Sequence, residues 1–507
     1  MKRPLPVLPL LLLAAFAAAC GGSYVPPSAP STGQPAAPLG RAFDLSVALP
    51  YLEFPSIPAR GATLAVELEV DGVGDGRHAV AVRYGKARVG GQETEVLDLS
   101  GGDALLVESD GAWLIARLGP VQVAGTAFEY RLEGRSGPDG WTVAGTSRES
   151  QTGGEGTFAG TRRHRFAVAC TDYASGGQVV LLEWAEGGPL GTREQVTEAS
   201  SDPRLRLTRD ALFVINGFSY DNLQRLDPAE EFATAWQAGT GPGSNPRDVA
   251  LVDETKAYVS RYEPPFDDLL VIDPRGGARR GTIPLGPLAT NPDGTPRPDE
   301  IALAGGAAFV ALQDIDRTFT RYGDGKLAVI DTRTDSVERS VLLPGKNPVA
   351  VRPLTGRDGR ERLYVALAGI YPGLLPQELS GGVAVVDVAN RAFERWALDD
   401  DDAGGNVGGL ELAGERLGYA LVTDAAYVSR VVAFDPERAA LRRELLRTAE
   451  YVGGIELDGG GVLAVAEASF FAPRVCLWRV PADPEGVETP LGCAALPLPP
   501  VALEPLD

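Results

Sequence analysis

One phrase recurs through the last two-thirds of this sequence: an apolar run that ends in aspartate, then a turn, then another apolar run. It reads LLVIDP at Asp273, LAVIDT at Asp331, VAVVDV at Asp387 and VVAFDP at Asp435, with a more polar version, DNLQRLDP, at Asp227. Successive aspartates stand 46, 58, 56 and 48 residues apart. Before these runs come others with an aromatic or apolar centre (ALFVINGF, KAYVSRY, AAFVALQD, RLYVALAG, LGYALVTD, VLAVAEAS). Before those lies a third set (RLRLTRD, RDVALVDE, DEIALAG, NPVAVRP, GGLELAG, GGIELDG). Short runs rich in Val, Ile, Leu, Tyr and Phe, bounded by Gly, Pro, Asn and Asp, read as buried strands. Four strands, here a to d, repeating at this spacing are the pattern of a propeller blade. The recurrent aspartate reads as a turn residue whose carboxylate accepts backbone N–H groups between strands c and d.

Complete units start near Arg204, Arg247, Glu300, Pro348, Gly408 and Gly453. An incomplete one precedes them, with RFAVACTD as b, QVVLLEWA as c and REQVTEA as d, and it lacks strand a. Near the end of the chain, Val501-Ala502-Leu503 matches the pattern of the a strands. A tail that completes the first blade removes the unpaired edges of an open array. The expectation is an all-β chain whose residues 165–507 form a seven-bladed β-propeller closed by the C-terminal strand. Residues 41–164 (FDLSVAL, ATLAVELEV, RHAVAVRY, AWLIARLG, FEYRLEG) read as a small β-sandwich or barrel in front of it.

Leu363-Tyr364-Val365-Ala366, Ala328-Val329-Ile330-Asp331 and Asn347-Pro348 resemble the repeat of the YVTN family of bacterial seven-bladed propellers. The first and last blades depart from it by lacking the aspartate. The resemblance implies the fold and a role in binding a ligand or partner. One fold hosts many activities, so it does not imply which.

Residues 1–19 carry Lys2 and Arg3, then an apolar run from Leu10 to Ala19 that is too short for a membrane anchor and reads as an export signal. Ala17-Ala18-Ala19-Cys20 resembles the bacterial lipobox, which implies lipidation at Cys20; plain cleavage after Ala19 is the alternative. Gly21 rather than Asp after the cysteine implies passage to the outer membrane. Residues 20–40 then form a Gly/Pro/Ser/Ala tether. The formal net charge of −21 disfavours nucleic acid as a partner.

The search for chemistry excludes more than it finds. The two histidines, His78 and His164, lie outside the expected blades, so no Ser-His-Asp triad fits there. No CxxCH or paired CxxC occurs. The run Asp399-Asp400-Asp401-Asp402 fails the EF-hand pattern because Ala403 and Leu410 stand at ligand positions; it reads as a solvated loop. Cys476 and Cys493 flank a hairpin turn and are expected to form a disulfide. No catalytic residue is assigned and no cofactor is expected, although carboxylates near the funnel leave room for a divalent cation.

The aromatics point elsewhere. The b–c connections, which share one face with the d–a connections, carry Phe218, Tyr220, Tyr262, Phe266, Phe319, Tyr371, Tyr427 and Phe470, interleaved with acids such as Asp314. Loops on a rigid scaffold are the usual seat of binding, and aromatic rings suit it. The expectation is an exported, lipid-anchored protein of the outer membrane using an aromatic and acidic propeller face to bind a protein, peptide or carbohydrate. Two alternatives are a metal-dependent hydrolase or lyase resembling propeller lactonases, and a scaffold for envelope assembly.

Overall fold

The computed structural model describes the strands between Ala42 and Glu149 and, from Glu155 to Leu506, every residue except Glu186, Arg209, Asp210 and Glu231. The signal segment, Cys20 and the tether lie outside the described residues. Among the described residues no helix is long and apolar enough to cross a membrane.

Six four-stranded antiparallel sheets follow one another along the chain, beginning at Pro203, Pro246, Pro298, Pro348, Asn406 and Val452. They are blades two to seven. Blade one takes strands b to d from Glu155–Thr171, Gly177–Ala185 and Gly191–Ala199, and its strand a from the tail, Pro500–Pro505. The tail pairs antiparallel with strand b, placing Val168 opposite Leu503 and Ala169 opposite Ala502. Thr171 N–H donates to Pro499 O at 3.0 Å and Leu506 N–H to Arg165 O at 2.9 Å, so the seam is bonded at both ends.

Side chains of neighbouring blades meet face to face. Across the seam, Phe166, Val168, Val180 and Leu503 of blade one pack on Val462, Ala464, Val475 and Leu477 of blade seven. Gly453 is dictated by this junction: a Cβ there would meet Pro500 O at 2.2 Å. The repeated aspartates do the expected turn work. Asp331 accepts from the N–H of Arg333 at 2.8 Å, Asp387 from Asn390 at 2.7 Å, and Asp435 from Glu437 and Arg438 at 3.1 Å.

The first module is a barrel rather than a sandwich. Strand Ala42–Leu49 pairs on one side with Ala62–Gly74 and on the other with Glu155–Thr171, which closes the circuit of strands. Glu155–Thr171 is thus shared: residues 155–162 belong to the barrel, and from Arg163 onward the same strand pairs with Gly177–Ala185 in blade one. It enters the ring at the end carrying the a–b and c–d turns. The b–c and d–a loops therefore face away from the barrel.

His164 corrects one expectation. It lies within strand b of blade one, opposite Trp184, and its Nδ1 bonds Asp458 in the a–b turn of blade seven. A second bridge across the seam results, at the opposite end of the blades from Ser219.

Cys476 and Cys493 face each other on strands c and d of blade seven and are bonded, with S–S 2.00 Å and a separation of 17 residues. Cys170 is a buried thiol outside the disulfide. Closing a loop of this length restricts the unfolded chain by about 3 kcal/mol. A Cys476→Ala/Cys493→Ala variant is expected to lose about that much stability while keeping the strand content, measured by urea unfolding with and without reductant. Identical unfolding of variant and wild type would show the bond to be energetically idle.

Candidate functional site

Two regions of the ring carry more than packing: the loop face and the axis. On the loop face the aromatics divide. Phe218, Tyr220, Tyr427 and Phe470 are between 41% and 59% exposed, and Phe471 beside them is 98% exposed. Parts of these loops are held in unusual conformations: Phe218 has φ 46°, Ser219 79°, Tyr427 61° and the neighbouring Tyr173 58°. Bulky residues rarely adopt positive φ, and such positions persist only where surrounding structure enforces them. Here the rings lean on adjoining loops. Tyr220 donates its hydroxyl to Ser175 O in blade one at 3.1 Å, and Tyr427 donates to Pro372 O in blade five at 2.7 Å. Phe470 meets Tyr173 with ring centroids 5.3 Å apart. The open arc therefore runs from Tyr427 in blade six through blades seven and one to Phe218 in blade two, with exposed Leu374 of blade five near its start.

The remaining expected residues are not presented in this way. Tyr262 is buried between two guanidinium groups, with Arg247 at 4.5 Å and Arg297 at 4.8 Å from the ring centroid. Phe266 lies under Arg261 at 4.3 Å and Phe319 under Arg297 at 4.2 Å. Tyr371 is half-buried against the core between blades five and six. Asp314 is fully buried and anchors a d–a loop, accepting from Thr290 and Asn291 N–H at 3.0 Å and from Lys326 Nζ at 2.7 Å. The sequence pattern gave no hint that arginines would cap the rings of blades three and four.

The acids of the open arc are also committed. Asp172 accepts from the N–H groups of Gly176, Ala174 and Ser175, which hold its carboxyl well below the usual range. Asp424 accepts from Ala426 and Val428, and Glu467 binds Arg474 at 2.9 Å. What the arc offers a ligand is ring surface more than charge.

Around the axis, every blade contributes a charged side chain from its innermost strand. In ring order these are Glu504, Arg206, Asp248, Glu300, Arg352, Glu411 and Glu456, all buried. Arg206 grips Asp248 through both nitrogens of one fork, with Nε–Oδ1 2.8 Å, and lies 3.6 Å from Glu300. Arg352 donates to Glu300 at 2.5 Å and Glu411 at 2.7 Å, and stands 3.7 Å from Glu456. Burial pushes the Glu300 carboxyl up to about 7 against the pull of Arg352 and Arg206; it raises Glu411 also, and Glu456 and Glu504 well above their usual range. These residues sit openly in RLRL, RDVAL, DEIAL, VAVR, LEL, IEL and VALE. The missed signal was a charge in the middle of each apolar innermost strand.

At the mouth of the funnel, Arg204 pairs with Asp299 at 3.0 Å, Arg297 with Glu263 at 2.8 Å, and Tyr262 donates to Gln313 at 2.7 Å. Asn216 uses both ends of its amide, on Ser200 N–H and Asn222. Among the described residues, the acids that approach one another closely enough to share a metal ion are Asp399, Asp400 and Asp401. They lie on the d–a connection between blades five and six. Rather than a plain solvated loop, this run makes one helical turn whose Asp400 is buried and accepts from Gly381 N–H at 2.8 Å.

No family model and no curated protein matches this chain. Among solved structures it is similar to a 6-phosphogluconolactonase-like protein from Bacteroides uniformis, at 14% identity over 68% of this chain and 99% of that one, with TM-score 0.50. A counterpart from Bacteroides fragilis gives 14% identity over 68% and 98%, TM-score 0.48. Virginiamycin B lyase from Staphylococcus aureus gives 10% over 60% and 96%, TM-score 0.42. At such identity the likeness shows the fold, a β-propeller, and no activity.

Removing one partner of a buried ion pair leaves an uncompensated charge and costs about 3–5 kcal/mol. Arg352→Met, which strips Glu300 and Glu411 together, is expected to lose at least that much at pH 8 by urea unfolding. The loss should shrink at pH 5, where the orphaned carboxyls take up protons. A loss below 1 kcal/mol at pH 8 would contradict the assigned network.

Proposed function

We propose that this is an exported, lipid-anchored binding protein that presents the aromatic arc of blades six, seven, one and two to a partner. The observation that carries the reading is the one-sided display of rings. Phe218, Tyr220, Tyr427, Phe470 and Phe471 emerge on a single face, in loops braced against their neighbours, with strained backbone at Phe218 and Tyr427. Large exposed apolar groups clustered on one face mark interaction surfaces. The shared strand Glu155–Thr171 supports the orientation, because a tether N-terminal to the barrel would hold this face outward from the membrane. The resemblance to YVTN-type repeats agrees with a binding role.

The ligand class favoured is a protein or peptide surface, or a carbohydrate whose rings stack on these side chains. Attraction of a cationic ligand by the acids of this arc is not favoured, since those acids are tied into their own loops and ion pairs. The hydrolase or lyase alternative would use the funnel mouth, where Asp299 and Glu263 are already paired with arginines. A divalent cation there would have to displace those contacts. An envelope scaffold would use the same arc as the binding reading and differs from it only in the partner.

A photo-cross-linking side chain at Phe471, in cells, is expected to capture one or a few discrete adducts. The same group at Val487, exposed in the c–d turn of blade seven on the opposite face, should capture none of them. Phe218→Ala/Phe470→Ala should abolish the adducts without lowering the melting temperature by more than a few degrees. Equal capture from both positions would overturn the assignment of the face.

A further inference from the structure

Two arginines cannot neutralise five carboxylates. Through blades one to six no axial acid lacks an arginine: Arg206 lies between Glu504 and Asp248 and also reaches Glu300, and Arg352 lies between Glu300 and Glu411. From blade six to blade one the order is Glu411, Glu456, Glu504, three acids in succession with no cation between them.

A second regularity fails at the same place. The acids of one blade accept a backbone N–H from the innermost strand of the next. Asp248 takes Ile301 N–H at 2.7 Å, Glu300 takes Val351 N–H at 2.9 Å, Glu504 takes Leu207 N–H at 2.7 Å, and Glu411 takes the N–H of Leu457. Leu457 follows Glu456 and Leu207 follows Arg206, so the donor for Glu456 would be the residue after Glu504. That residue is Pro505, which has no N–H. Both carboxyl oxygens of Glu456 are accordingly buried without a donor from backbone or cation, and the group that lies against them is the Glu411 carboxyl, with which a proton can be shared.

We propose that Glu456, with Glu411 and Glu504 on either side, is a proton-loaded latch: the ring closes tightly at the seam between blades seven and one only while this arc carries protons, and loosens there as they leave. A buried carboxylate without donors is strongly disfavoured when ionised, and a neutral acid is not. Glu456 faces Glu411, Arg352, Glu504 and Glu300; Glu504 faces Arg206, Asp248 and Arg352. Arg352 and Arg206 are already held by Glu300, Glu411 and Asp248. The direction follows from the raised carboxyls. The folded ring binds more protons than the unfolded chain, so this contribution is fully present below the ordinary glutamate range and is lost as pH rises through the folded values. Among the described residues, no three of the axial acids bring oxygens close enough together to share a metal ion, which favours protons as the occupant. The His164–Asp458 pair crosses the same seam, so the test isolates the glutamates by substitution.

The test is urea unfolding of the full chain from pH 5 to 8.5, with hydrogen exchange of the closing strand, residues 500–506, normalised for intrinsic rate. The folding constant should fall with pH by up to tenfold per unit for each proton held, and the closing strand should lose protection before blades three to five. Glu456→Gln should flatten that dependence by about one proton and be the more stable protein at pH 8.5. Pro505→Ala, which restores an N–H, should act in the same sense. Contradicting outcomes are a flat profile in the wild type, an unchanged slope in both variants, or an effect of EDTA or added calcium that is abolished by Glu456→Gln and would make the site a metal site.

Discussion

The closing of the ring by its own tail is the constraint on which everything else rests. Strand b of blade one would present Phe166, Ala167, Val168 and Ala169 as a bare edge if Pro500–Pro505 did not pair with it. An unpaired apolar edge is a site of aggregation. The fold therefore holds its two ends together around some 340 residues of intervening chain (Phe166 to Leu506). It reinforces the join with a shared apolar cluster and with the pairing of His164 and Asp458. Because Glu155–Thr171 also completes the barrel, one strand serves as barrel wall, blade strand and seam.

The charged axis is the second consequence of that geometry. Strand a of each blade comes nearest the centre, where side chains from all blades meet and apolar packing gives way to ion pairs. Buried ion pairs add little net stability compared with apolar packing, yet one that loses a partner is strongly destabilising. A network running through Asp248, Arg206, Glu300, Arg352 and Glu411 thus penalises any slip of one blade relative to the next. The carboxylate-to-N–H stitches between successive strands act likewise. The seam is the junction at which both devices lapse, at Glu456 and Pro505.

The blades were legible in the sequence because strand periodicity, turn chemistry and spacing agree. Ala328-Val329-Ile330-Asp331 reads as a strand followed by its turn, and Asp331 accepts the N–H groups of Arg333 and Thr334. Val501-Ala502-Leu503 could be placed because its pattern had a vacancy to fill. Cys476 and Cys493 stood symmetrically about one hairpin and lie in register. The binding face was legible only in part. A loop aromatic looks the same in sequence whether it faces solvent, as Phe470 does, or is pressed beneath an arginine from another loop of its own blade, as Phe319 is by Arg297. Such contacts depend on how the loops fold back on one another and leave no local pattern. The choice between sandwich and barrel likewise depended on a pairing, Ala42–Leu49 with Glu155–Thr171, that spans the whole module.

The most direct measurement on the account is the unfolding of a chain that ends at Leu498, compared with the full-length protein under identical conditions. Loss of the cooperative transition, or a fall in midpoint large enough to leave the ring unfolded at room temperature, is the predicted result. Removal of the last strand exposes both the bare edge of blade one and the apolar faces beside it. A truncated chain that melts with the same midpoint and cooperativity as the intact one would contradict closure by the tail, and with it the placement of the aromatic arc and the charged axis.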